Sequence, residues 1–333
     1  MKIKLGLAFA MIAGLALAIG LVLYQGPGQV LGALARVGWG FLAMIAVHLV
    51  QTGATALGWR SFIAGLRQPP VGELFVIRWI RDGINGLLPV AQIGGEIVAA
   101  RLLAFRGVRG DVAGASVVLD MTVEVATQLL FTLVGVILLA LDGRGGSTLA
   151  NLTLGLCLAA VVLVAFVAAQ RFGIFKLIER GLDRVIKHAG WPAFDGMRGI
   201  DDAIQEMHGD TRALIESAGW HFFAWLLGGV EVWVALYFMG VHIDAGEALI
   251  IESLGQAARS VAFAVPGGYG VQEGGLMLIA SILGVPADAG LALALAKRVR
   301  EAVLGAPSLA LWHHIEGRRV TRPKVLQPKR PVT

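Results

Sequence analysis

Two glutamates, Glu96 and Glu273, stand in the same unusual setting, each seven residues after a proline, with glycines between, inside strongly apolar sequence. The first stretch reads Leu88-Pro89-Val90-Ala91-Gln92-Ile93-Gly94-Gly95-Glu96, and the second Val265-Pro266-Gly267-Gly268-Tyr269-Gly270-Val271-Gln272-Glu273. An ionisable group inside a membrane segment costs ~2.5–3.5 kcal/mol on insertion scales, so it normally faces a cavity or a partner. Partners are at hand: Arg81 lies eight residues before Pro89, Arg259 seven before Pro266, and Arg101 five after Glu96. Arg78, Asp82 and Asn85 flank the first break, and Glu252 and Gln256 precede the second. Downstream, Asp120 and Glu124 share a helix face at i, i+4, as do Lys297, Arg300 and Glu301 at i, i+3, i+4, with Arg298 about 100 degrees off that face. Such groups either neutralise one another as buried ion pairs or grip a polar headgroup, and both readings stand at this point.

Other chemistries find little support. Gly267-Gly268-Tyr269-Gly270 is followed by no Lys-Ser or Lys-Thr and preceded by no strand, which argues against a nucleotide phosphate loop. His48, His221, His313 and His314 lack metal-ligand spacing with acids, and the single Cys157 builds no disulfide within one chain. The net charge of +5 comes from basic residues in loops, where membrane topology accounts for them, so no nucleic-acid partner is expected. No catalytic residue, metal or cofactor is assigned.

The elements that hold these residues belong in a bilayer. With 56% hydrophobic and 15% charged residues and a mean hydropathy of +0.74, the chain carries more apolar surface than a soluble domain buries. Runs long enough to cross lie at 5–23, 41–59, 112–141, 149–170, 217–240 and 289–313. The apolar blocks 74–105 and 247–284 are instead interrupted by Pro and Gly, and each reads as a re-entrant pair of half-helices. Sliding the chain by 177 residues superposes Pro89 on Pro266, Glu96 on Glu273, Gly107 on Gly284, Val108 on Val285, Asp111 on Asp288, Ala115 on Ala292 and Glu124 on Glu301. That pattern reads as a duplication. The predicted fold is all-α and polytopic: about six full transmembrane helices plus two re-entrant broken-helix hairpins arranged as an inverted repeat. Unit one spans 41–141 with its break near 88–96, and unit two spans 217–313 with its break near 265–273, both within a single integral-membrane domain, 1–333.

Lys and Arg mark the cytoplasmic side. Lys2, Lys4, Arg60, Arg67, Arg106 and Arg109, the insert 171–216 and the basic tail 314–333 all fall inside if both breaks return to the side they entered from. The opposite loops hold only Arg36 and Arg144. Both termini are therefore expected to be cytoplasmic, in the inner membrane, with an uncleaved first helix. Three crossings separate the start of span two from the start of span five, so the second unit enters with opposite polarity. Inverted repeats with broken helices are how many transporters place their sites. The insert reads as amphipathic cytoplasmic helix, lying at the lipid interface or packed on neighbouring spans.

Leu88-Pro89 through Gly94-Gly95-Glu96, then Arg101 and Gly107, with Glu252-Ser253, Arg259, Phe263, Pro266-Gly267-Gly268, Gly270, Glu273-Gly274-Gly275, Arg300-Glu301 and Pro307, resemble the lysylphosphatidylglycerol synthase transmembrane region, a family of integral membrane proteins. Trp79-Ile80-Arg81 with Asn85 and Ile93-Gly94-Gly95-Glu96 looks closest to its hopanoid-biosynthesis-associated branch. The resemblance covers about 35–315 and implies movement of a lipid between leaflets, with Glu96, Arg101, Arg259, Glu273, Arg300 and Glu301 lining a headgroup cavity. It departs in one respect: the two-part synthases append a soluble aminoacyl-transferase domain, whereas this chain ends about 20 residues after its last span, so lysyl transfer is not expected. A lipid translocator is the leading expectation, its cargo a hopanoid or related polar lipid. A membrane-embedded transferase using Glu96 or Glu273 as general base, or a non-catalytic partner of lipid-biosynthesis enzymes, are the alternatives.

Overall fold

The structure, a computed structural model, describes residues 27–63, 68–88, 94–171, 199–261 and 271–320. Among these the regular elements are all helices: α1 (Pro27–Val37), α2 (Gly40–Arg60), α3 (Val71–Leu87), α4 (Gly94–Phe105), α5 (Gly110–Asp142), α6 (Gly146–Arg171), α7 (Ile200–Gly209), α8 (Thr211–Phe238), α9 (Ala245–Val261), α10 (Val271–Ile282) and α11 (Ala287–Val320). In apolar surroundings a chain must satisfy its backbone groups internally, which favours long uninterrupted helices wherever Pro and Gly are absent.

Four of these helices hold stretches long and apolar enough to cross a membrane: α2, α5, α8 and, within α6, Thr153–Arg171. They coincide with predicted spans 41–59, 112–141, 217–240 and 149–170. The predicted span 5–23 lies outside the described residues, as does most of the 171–216 insert. Of that insert the structure describes α7 and the first turn of α8, whose N-cap Asp210 accepts a 3.0 Å bond from the Ala213 N–H. The sixth predicted span falls within α11, 34 residues long, which carries Lys297, Arg298, Arg300 and Glu301 along its middle and is not among those four.

The two apolar blocks with breaks form helix pairs. α4 and α10 have 12 residues each, about 18 Å, too short to cross the ~30 Å hydrocarbon layer alone. In the first pair, Glu73 at the start of α3 meets Arg106 just past α4 at 2.7 Å, while Asn85 near the end of α3 accepts a 2.9 Å bond from the Gly95 N–H at the start of α4. The two helices therefore lie antiparallel. In the second pair, Arg144 ties Glu247 in the first turn of α9 (2.6 Å) to the Leu283 carbonyl just past α10 (2.7 Å), and Gly275 abuts Ala258 at the other end.

Elements recur at the spacing seen in the sequence. α4 and α10 begin at 94 and 271 and end at 105 and 282, and α5 and α11 begin at 110 and 287, each 177 apart. Gly107 (φ 94°) and Gly284 (φ 82°) turn the corners into α5 and α11 in the left-handed region, which side chains disfavour. Packing follows suit: α3 lies on α11, α9 lies on α5, and α2 pairs with α8. The α2–α8 pair is antiparallel, with Gly40 against Phe238 and Gly58 against Ser217 and His221.

Four apolar clusters result among the described residues, two of them large. One gathers Trp59, Leu74, Ile80, Leu103, Val117 and Leu309 around α3 and α4, and the other gathers Met44, Val136, Leu236, Ile251, Leu276 and Leu293 around α9 and α10. Between them, along α5 and α11, lie the charged positions 120–124 and 297–301.

Candidate functional site

Glu96 reaches its partner because Gly95 has no side chain. A Cβ there would stand 2.5 Å from the Arg81 carbonyl oxygen and 2.6 Å from Asn85 Oδ1. With α4 drawn that close, Glu96 Oε2 meets Arg81 Nε at 2.6 Å and Oε1 accepts from Asn85 Nδ2 at 3.1 Å. Arg81 also bonds Asp120 Oδ2 (2.5 Å) and Glu124 Oε2 (3.1 Å) on α5. Arg78, one turn earlier on α3, takes the same two carboxylates at 2.8 and 2.7 Å and Asp82 at 3.2 Å. From α8, His221 Nε2 meets Asp120 Oδ1 at 2.9 Å. Arg81, Glu96, Asp120 and Glu124, singled out in the sequence, thus stand together in one buried network.

A second network joins α8, α9 and α11. Glu301 holds Arg259 at 2.6 Å and Arg298 at 3.2 Å. Lys297 pairs with Glu252, and Arg300 with Glu231. His48 on α2 approaches Glu231 at 4.0 Å, and Gln256 donates to Glu252 at 2.8 Å. Positions offset by 177 play matching parts, for Glu124 and Glu301 each receive an arginine from the helix before the break. At the neighbouring rung the polarity reverses: Asp120 receives Arg78, while Lys297 receives Glu252.

The networks are linked, and some of their members are part-exposed. Gln128, one turn beyond Glu124, donates to the Gln256 carbonyl on α9 at 3.3 Å. The side chains of Asp82, Glu124 and Arg259 are 36, 23 and 30% exposed, whereas those of Arg78, Arg81, Asp120, Glu231 and Glu252 are almost wholly enclosed. The layer therefore combines part-exposed anions and a part-exposed cation with enclosed charges held by ion pairs.

Not every predicted residue joins it. Arg101 leaves the network for Glu316 on α11 at 3.1 Å and lies over the Phe105 ring, its side chain 52% exposed. Arg300 stands with Glu231 rather than beside Arg259. Glu273 lies in the first turn of α10, its side chain outside the described residues. Sequence reasoning missed Glu231 and set His221 aside, although an isolated acid in the middle of an apolar run is itself a signal. Among the described residues no group of three His, Cys, Asp or Glu side chains converges as a metal site.

Residues 11–306 match the family described as the lysylphosphatidylglycerol synthase TM region. The chain belongs to that family. No curated protein matches it, and no solved structure does. Its family and its four helices able to cross a membrane make it a multi-pass membrane protein, consistent with a lipid-related role. In the lysylphosphatidylglycerol synthase TM region seen here, Glu96 and the paired charges around it stand where α3, α4, α5 and α8 meet.

Proposed function

We propose that the protein is a lipid translocator of the cytoplasmic membrane, moving a polar lipid between leaflets, with a hopanoid or related lipid as the cargo class its sequence resemblance suggests. In this reading the units α2–α5 and α8–α11 are inverted copies, the antiparallel pairs α3/α4 and α9/α10 re-enter the membrane, the chain crosses six times, and both termini are cytoplasmic. The observation that carries the reading is a largely buried ion-pair layer in which the Asp82, Glu124 and Arg259 side chains stay part-exposed. A headgroup entering there exchanges its hydration for fixed charges of both signs, while its tails stay in lipid. Charges buried this deeply are costly unless paired, and membrane proteins keep them mainly where function needs them.

The test is leaflet redistribution of headgroup-labelled phospholipid and hopanoid in liposomes holding the purified full chain. Wild type accelerates redistribution, and Glu96→Gln and Glu273→Gln each lower the rate about tenfold or more, the equivalent of ~1.4 kcal/mol in barrier. No acceleration with any lipid rejects the translocator and moves the assignment to a transferase or to a scaffold within a lipid-biosynthesis complex.

A further inference from the structure

His221 makes one bond and lacks another. Its Nε2 sits 2.9 Å from Asp120 Oδ1, its side chain is 1% exposed, and its Nδ1 has no hydrogen-bond partner. Buried ring nitrogens are normally paired or hydrated. One turn earlier on the same face of α8, the fully buried Ser217 Oγ is also without a partner. Across the antiparallel α2–α8 interface, the register set by Gly40 on Phe238 and Gly58 on Ser217 and His221 brings Ser61 opposite Ser217. Ser61 Oγ and the neighbouring Arg60 Nε are unpartnered too. Arg60 in turn bonds Gln68, an exposed residue, at 3.1 Å. Unsatisfied polar atoms thus gather at the C-terminal end of α2 and on the facing turns of α8, a setting that suits bridging water, which needs two to four polar partners.

The groups facing His221 make it a good place for a proton. From α5 come Asp120 and Glu124, and behind them on α3 stand Arg78, Arg81 and Asp82, with Glu96 on α4. On α2, Gly58 lies beside the ring, while Glu252 on α9 and Arg300 on α11 face α8 at Gly228 and Glu231. Four carboxylates (Asp82, Glu96, Asp120, Glu124) thus stand against two guanidiniums (Arg78, Arg81), an excess of two negative charges that one proton on His221 halves.

We infer that His221 is a buried proton-binding site, filled by way of Ser61 and Ser217, whose charge state sets how tightly α3 is held to α5. A water-borne proton adds to Nδ1 of the neutral ring, giving an imidazolium that donates through Nε2 to Asp120 and through Nδ1 toward Ser217. Asp120 then shares its charge between His221 on Oδ1 and the two arginines on Oδ2, and the grip of α3 on α5 loosens. Return of the proton restores it. The site stands on its own geometry, while its coupling to lipid movement rests on the translocator reading.

Magnetic resonance of the wild-type chain in nanodiscs, with labelled histidine and the His221 signal assigned by its through-space contact to the Asp120 carboxyl, tests the site without reference to transport. The His221 ring takes up a proton as pH is lowered, and its Nδ1 proton exchanges with water; Ser217→Ala slows that exchange about tenfold with the Nε2–Asp120 contact intact. A ring that keeps one charge state as pH is lowered, or exchange unaffected by Ser217→Ala, overturns the proton site. In liposomes, a pH difference across the membrane changes the rate of lipid redistribution in wild type, and Ser217→Ala blunts that response at an unchanged equal-pH rate. A wild-type rate insensitive to the gradient overturns the coupling. Absence of redistribution under every condition rejects the translocator while the magnetic resonance result still decides the proton site.

Discussion

Asp120 takes bonds from Arg78, Arg81 and His221, one residue from α8 and two from α3, all converging on a single side chain of α5. Its removal leaves two buried guanidiniums short of charge, and breaking such a network by one partner typically costs ~3–5 kcal/mol. Asp120→Ala is predicted to lower stability by about that amount, read by denaturant unfolding in detergent. Glu96→Gln is different, because Arg81 keeps Asp120 and Glu124 and the amide still accepts from Asn85. Its predicted cost is ~1–3 kcal/mol, the range for one unsatisfied buried group. The ordering Asp120→Ala worse than Glu96→Gln is the checkable result, and it makes Glu96→Gln a fair probe of function rather than of folding. At this scale the sequence marked Glu96, Asp120 and Glu124 by their cost in an apolar run. It did not mark Glu231 as a partner of Arg300, because the two are 69 positions apart and meet only where α8 crosses α11.

Helices meet here through missing side chains. A Cβ on Gly83 of α3 would stand 1.9 Å from Ser308 Oγ and 3.2 Å from the Gly305 backbone on α11. Gly83→Ala is therefore predicted to push α3 from α11 and cost ~1–3 kcal/mol, the usual price of overpacking, with partial recovery in Gly83→Ala/Ser308→Gly. Thermal unfolding of the single and double variants checks it. At the other surface, α7 docks on the end of α6 through His208, whose Nε2 lies 3.1 Å from Gln170 Oε1. Burial, and after it the charge of Arg171, hold the His208 imidazole below its ordinary value. A depressed value means the unfolded chain binds more protons, so the contribution is present above about pH 6.5 and lost as pH falls toward the folded value. Between pH 7.5 and 5.5 the melting temperature of wild type is predicted to fall more than that of His208→Gln. The recurrence of Gly107 at Gly284 was legible in sequence, and their turns follow because Gly acts locally on the backbone. The tight α3–α11 contact was not, because Gly83 is only one glycine among 45 until its neighbour is known.

On the scale of the whole molecule the two large apolar clusters sandwich the charged layer, and orientation in the bilayer decides which side each end of that layer faces. In a Cys157→Ser background, Arg109→Cys is predicted to react with a membrane-impermeant thiol reagent from the cytoplasmic side only, and Arg144→Cys from the opposite side only. The swapped pattern would reverse the orientation proposed for α5, and labelling of both from one side would reject its crossing. By itself the sequence determined the membrane class, four of the crossing helices, the two interrupted blocks and the 177-residue recurrence of helix ends, because hydropathy, chain length and backbone breakers each act over one element. Only the tertiary structure decided the pairings. Arg101 turned to Glu316, Arg81 gathered Glu96, Asp120 and Glu124 from two other helices, and His221 closed on Asp120 from a position 101 residues away. The physical reason is that an ion pair needs two side chains within about 3 Å, and this depends on the rotation and register of whole helices, set by many small packing contacts that no single stretch of sequence contains.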